Sequence, residues 1–127
     1  MKHKIYCYGS LRPGKGETVQ IPGRMFDLGW FPGAVLIGEA PEHRIVAEVI
    51  EVDDAGLARL DRYEGYDPRH PEHSLYVRKE YEDGFIYQFN GNVDGKLPVL
   101  SGDWLVHIGQ KEGCNAGIHS RGKVLRD

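Results

Sequence analysis

The chain has 127 residues, 40% hydrophobic and 28% charged, with a formal net charge of −3 from 16 basic and 19 acidic side chains. That length suits a single domain, 1–127, around one core, and that composition excludes a dominantly disordered chain. The charges are intermixed without a basic stripe, which argues against nucleic acid or an anionic membrane as partner.

The N-terminal MKHKIYCYGS is basic but has no apolar stretch, so no secretory leader is expected. No run approaches the ~18 apolar residues that cross a bilayer. Two cysteines, Cys7 and Cys114, are too few for a disulfide scaffold and point to a reducing cytosol. The expected location is the cytoplasm. Glycine is abundant, at 17 residues, and with 7 prolines it cuts the chain into short pieces that suit strands and tight turns.

Lys4–Tyr8 reads as a first strand that breaks at Gly9-Ser10. The stretch 12–33 is rich in glycine and proline with few periodic apolar residues, and is expected to be mostly loop. AVLIGEA (34–40) and HRIVAEVIEV (43–52) are rich in β-branched residues and read as strands, the second with Ile45, Ala47 and Val49 on one face. Asp53 then offers an N-cap, and DAGLARLDRYEG has helical spacing closed by Gly65 at C′. A strand ends HPEHSLYVRKEYE, Asp83-Gly84 suggests a hairpin turn, and FIYQFN returns with Phe85, Tyr87 and Phe89 on one face, read as the barrel core. GDWLVHI (102–108) reads as the last strand, and 109–127 as a loosely ordered tail. One helix among about six strands argues an α+β domain, a small curled sheet or barrel with the helix packed on it.

Two places invite chemistry. At 100° per residue, Leu57, Leu60 and Glu64 fall within about 60° of one another, so a carboxylate continues the apolar stripe of the helix. It also sits in the last turn, where the macrodipole disfavours negative charge. Burial and dipole together would raise its pKa, which suits a general base or acid. The alternative is a frayed end with Glu64 in water and Tyr63 in the core. The second place is YCYGSLRPG (6–14), where a strand breaking at Gly-Ser can splay backbone N–H groups into a concavity for an anion or oxyanion. The alternative there is an ordinary turn. His70, Glu72 and His73 suggest a metal site only weakly, because Pro71 prevents a regular helix. Cys7 faces away from Tyr6 and Tyr8 and reads as a small core residue. Ser10 lacks a hydrolase motif around it.

YGSLRPG resembles the signature loop of the γ-glutamylcyclotransferase-like family, which includes γ-glutamylamine cyclotransferases and AIG2-like proteins. The resemblance continues in order through DLGWFPGAV, AEVIEVDDAGLARLDRYEGYDP, SLYVRKE and SGDW, covering residues 4 to 108. The chain departs from the family pattern at Ala47 and Ile50, where glycine and tyrosine are usual. The resemblance implies a small mixed β-barrel with one or two flanking helices, and a γ-glutamyl small molecule as substrate. It implies that the backbone of Tyr8, Gly9, Ser10 and Leu11 holds the γ-glutamyl group. Glu64 is then the catalytic acid or base, Tyr76 lines the pocket, and Arg78 matches the family's arginine.

The family reaction is an intramolecular aminolysis. The α-amine of the γ-glutamyl group attacks its own γ-carbonyl, giving 5-oxoproline and a free amine, with no metal, cofactor or covalent intermediate required. The rival reading is a non-catalytic module that keeps the pocket and binds a small molecule or a protein.

Overall fold

The computed structural model describes residues 1–14, 17–38 and 42–114. Among them are seven strands, β1 (His3–Cys7), β2 (Val19–Asp27), β3 (Pro32–Leu36), β4 (Arg44–Val52), β5 (Tyr76–Tyr81), β6 (Gly84–Phe89) and β7 (Leu97–Pro98). Two α-helices accompany them, α1 (Asp54–Tyr63) and α2 (Trp104–Cys114). The fold is α+β, a curled mixed sheet of the small-barrel kind with flanking helices. No described helix is long and apolar enough to cross a membrane.

The sheet runs β3-β2-β4-β1-β6-β5, with β7 on β2. β1 is central: it pairs antiparallel with β4 from His3↔Val52 to Cys7↔Glu48 and parallel with β6 at Lys4↔Gly84 and Ile5↔Phe85. Strand alternation divides its side chains between two apolar clusters. Tyr6 and Tyr8 enter the concave interior with Ile21, Ile45, Ile86 and Trp104. Ile5 and Cys7 face the other way and join Tyr76 and Tyr87, against which Leu57 and Leu60 of α1 pack. Burying one such large side chain stabilises the fold by about 1.5–3 kcal/mol.

Four readings are corrected. The 12–33 stretch holds β2, a nine-residue strand. Its Pro22-Gly23 pair marks a change of partner: Val19–Pro22 pair with β4, and Gly23–Asp27 pair with β3. Residues that read as strand breakers are thus the joint of a bent strand.

GDWLVHI contributes a helix, α2, in place of a strand. Asp103 Oδ1 accepts from the Leu105 and Val106 amides at 3.1 and 3.3 Å, and the Asp103 carbonyl accepts from His107 N at 3.0 Å. A capping carboxylate starts a helix where apolar content alone suggested a strand. Trp104 is buried and Leu105 and Val106 are exposed, the one-sided burial of a surface helix. Residues 39–40, at the end of the expected strand 34–40, and 115–127, the remainder of the expected tail, lie outside the described residues.

The Phe85, Tyr87 and Phe89 stripe faces the α1 side, and Ile86 is the β6 residue that enters the concave interior. The hairpin turn expected at Asp83-Gly84 falls one residue earlier, on Glu82-Asp83: Glu82 takes φ 51°, and Gly84 is already in β6, paired to Tyr81. Asp83 anchors this turn by accepting from Lys4 Nζ at 2.7 Å and Tyr6 Oη at 2.8 Å. Burial, reinforced by this bond to Asp83, pushes the Tyr6 hydroxyl up to about 12. Gly84 serves close approach to β1, since a Cβ there would stand 2.4 Å from the Lys4 carbonyl oxygen. Gly84→Ala is therefore expected to cost about 1–3 kcal/mol through overpacking, seen as a lower thermal midpoint. An unchanged midpoint would show that β1 and β6 separate freely.

Candidate active site

α1 begins and ends on local signals. Asp53 Oδ1 accepts from Gly56 N at 2.8 Å, which caps the first turn. At the other end Gly65, at φ +71°, lets Gly65 N reach the Arg62 carbonyl and Tyr66 N the Asp61 carbonyl, at 3.1 and 2.8 Å. That pair of bonds is a Schellman closure, with Glu64 as the C-cap residue. The Gly65 carbonyl then accepts from Leu75 N at 3.1 Å, which ties the end of α1 to the entrance of β5 and Tyr76. Glu64 is thereby turned inward to 1% exposure, while Tyr63 is only half-buried.

Glu64 is not the only buried carboxyl on this helix end. Asp61, one turn earlier, accepts from Tyr87 Oη at 2.6 Å and from Arg78 Nη1 at 2.7 Å. The Arg78 guanidinium lies over the rings of Tyr66 and Phe85, 5.4 and 4.8 Å from their centroids. Burial pushes the Tyr87 hydroxyl far up its scale, followed by the bond to Asp61 and that residue's charge; Arg78 opposes and Glu64 adds. The Tyr87 hydroxyl therefore lies in the field of both buried carboxyls at the C-terminal end of α1.

The loop after β1 is held from several sides. Tyr8 is 1% exposed; its hydroxyl donates to the Tyr87 carbonyl at 2.5 Å and accepts from Ala34 N at 3.3 Å. That side chain thereby links β6 to β3. Gly9 and Arg12 close a turn, Arg12 N donating to the Gly9 carbonyl at 3.1 Å. Inside this turn the Ser10 hydroxyl is buried with no hydrogen-bond partner among the described residues. Leu11 packs against the same cluster of Tyr76 and Tyr87 that carries Leu57 and Leu60 of α1. Tyr76 is fully buried and donates to the Pro32 carbonyl at 2.7 Å. Leu11 of the loop and Leu57 and Leu60 of α1 thus share one apolar cluster, with Tyr76 part of it.

A model of the family described as gamma-glutamyl cyclotransferase, AIG2-like, matches residues 5–106. The chain belongs to that family. It is 32% identical over 115 residues to a γ-glutamylcyclotransferase family protein, YtfP, of Escherichia coli, covering 80% of this chain and 96% of that protein. The solution structure of E. coli YtfP superposes with a TM-score of 0.58 at 27% identity, over 83% of this chain and 98% of that one. The crystal structure of an uncharacterised protein from Pyrococcus horikoshii shares the fold at a TM-score of 0.62 and 22% identity, over 90% and 98%.

Four residues around this candidate site are not singled out by the sequence: Arg12, Glu48, Asp61 and Asp103. Arg12 was signalled by being the one charge in YCYGSLRPG, since a cation inside a tight loop needs a counter-charge. Asp61 was signalled by its i, i+3 spacing to Glu64. Asp103 carries a local signal only as the cap of α2, and nothing local marks Glu48 or the meeting of either with Arg12. The His70–Glu72–His73 turn is exposed, and no described group of three or more His, Cys, Asp or Glu is placed to hold a metal ion. Tyr87→Phe removes a buried hydrogen bond to a charged acceptor and is expected to cost about 1.5–3 kcal/mol in urea unfolding. A variant as stable as the parent would show that Arg78 alone satisfies Asp61.

Proposed function

We propose that the protein cyclises the γ-glutamyl group of a γ-glutamyl amine or peptide to 5-oxoproline, releasing the amine, with Glu64 as general base and then general acid. The observation that carries this reading is the burial of Glu64 to 1% exposure by the Schellman closure of α1, on a chain of this family. Desolvation disfavours the charged form of a carboxyl and keeps competing water from it. A base poised in this way can take a proton from the substrate's α-ammonium and return it to the departing nitrogen.

The nucleophile is already tethered to its target, so much of the entropic barrier disappears once the γ-glutamyl chain is folded for attack. The amine nitrogen bonds to the γ-carbon, the carbonyl becomes an oxyanion, and the bond to the leaving nitrogen breaks as that nitrogen is protonated. Backbone N–H groups of Gly9–Leu11 are the proposed holders of the substrate carboxylate or of the oxyanion. The orphan hydroxyl of Ser10 supports a polar ligand in this loop, because a buried hydroxyl without a partner costs about 1–3 kcal/mol. Tyr76 contributes wall and rigidity, its hydroxyl being committed to Pro32.

Incubation with glutathione, γ-glutamyl amino acids and γ-glutamyl-ε-lysine, scored for 5-oxoproline by mass spectrometry, is expected to show release from at least one. Glu64→Gln should reduce that release at least about 100-fold, the contribution of a general base. Ser10→Ala keeps the loop amides and should lose no more than about tenfold. Activity that survives Glu64→Gln would remove Glu64 from the mechanism; no release from a broad panel would favour the non-catalytic binding module.

Because Glu64 must be deprotonated to act as base, kcat/KM is expected to rise with pH and to level off once that carboxyl is ionised, a limb that Glu64→Gln should abolish. A rising limb that survives Glu64→Gln would contradict a carboxylate base at this position.

A further inference from the structure

We infer that Asp103 is a positioning residue for the substrate loop, acting through Arg12, so that the docking of α2 sets the shape of the site. The inference rests on the proposed role of residues 8–11 as the substrate cradle. Arg12 is the joint: its side chain is 5% exposed, Nε donating to Glu48 Oε2 and Nη1 to Asp103 Oδ1, both at 2.8 Å. Glu48, 4% exposed and carried on β4, uses its other oxygen to accept from Gly14 N at 2.8 Å. The turn that contains Ser10 and Leu11 is therefore stapled at Arg12 and Gly14 to the sheet on one side and to α2 on the other.

Asp103 Oδ1 has two tasks at once. The same oxygen that holds Arg12 also accepts from the first amides of α2, Leu105 N and Val106 N. Any displacement of the start of α2 moves the acceptor that fixes Arg12, and Arg12 N carries the movement to the Gly9 carbonyl. The two-pronged grip needs a guanidinium, whose planar fork reaches two carboxylates in fixed directions; an ammonium on a flexible stem does not. Loss of either carboxylate charge leaves a buried network out of balance, so the loop shifts.

Two conservative variants separate positioning from capping. Asp103→Asn still caps α2, because asparagine ranks with aspartate at that position, but it no longer neutralises Arg12. Arg12→Lys keeps the charge and loses the fork. In the unliganded protein, amide hydrogen exchange at Gly14 and Arg12 is expected to accelerate at least about tenfold in both variants, while β1 and β4 amides keep their protection. For whichever γ-glutamyl substrate the parent turns over, KM should rise about 5- to 20-fold, and the shape of the kcat pH profile should be kept because Glu64 is untouched. Unchanged exchange at Gly14 and Arg12 overturns the inference, as does a fall in kcat at constant KM. If the parent releases no 5-oxoproline, the proposed activity fails while the exchange measurement still decides the coupling of α2 to the loop.

Discussion

A curled sheet whose two ends do not join by a backbone ladder needs something else to hold its curl. Here the tyrosine at the end of the central strand does so: the Tyr8 hydroxyl donates to β6 and accepts from β3. Gln88 assists, its Oε1 accepting from Leu36 N at 2.9 Å. β3 therefore lies close to β6, to the point that a Cβ on Gly33 would stand 2.9 Å from Phe89 Cβ. Since the chain leaves β1 directly into the Gly9–Arg12 turn, the contact that closes the sheet also determines where that turn emerges.

The second constraint is electrostatic. The C-terminal end of α1 carries the negative pole of the helix, yet two carboxyls are buried there. Asp61 is offset by partners from both strands of one hairpin, Arg78 on β5 and Tyr87 on β6, with aromatic rings bracketing the guanidinium. Glu64 follows one turn later, where Gly65 ends the helix and turns the chain toward β5. Two buried carboxyls thus stand one turn apart at the same helix end, each on the side of α1 that faces the β5–β6 hairpin or the core.

What was legible in the sequence followed the range of the interactions involved. α1 and its caps depend on contacts within a few residues, so periodicity and capping residues suffice to read them; the same pattern left the direction of Glu64 open between the core and water, and burial to 1% exposure decides it. β2 was hidden because Pro22-Gly23 is punctuation in most contexts and becomes a strand joint only when β3 and β4 are both present to exchange. α2 was misassigned because a short apolar run has no intrinsic period, and Asp103 as its cap was overlooked. Glu48 and Asp103 lie 36 and 91 residues from Arg12, so their meeting is a product of topology, with no trace in local pattern. The resemblance of YGSLRPG and LDRYEGY to a known family supplied the pairing of loop and glutamate that neither stretch implied alone.

The parallel pairing of β1 with β6 also sets an entropic contrast within the sheet. The β5–β6 hairpin turns on two residues and closes with little loss of chain freedom, whereas Tyr8 bonds to a partner 79 residues away. The contact that fixes where the loop after β1 emerges therefore carries one of the larger chain-closure costs in the molecule, while α1 and its caps close within a few residues. Changes that weaken long-range closure of the sheet act on that loop before they act on the helix.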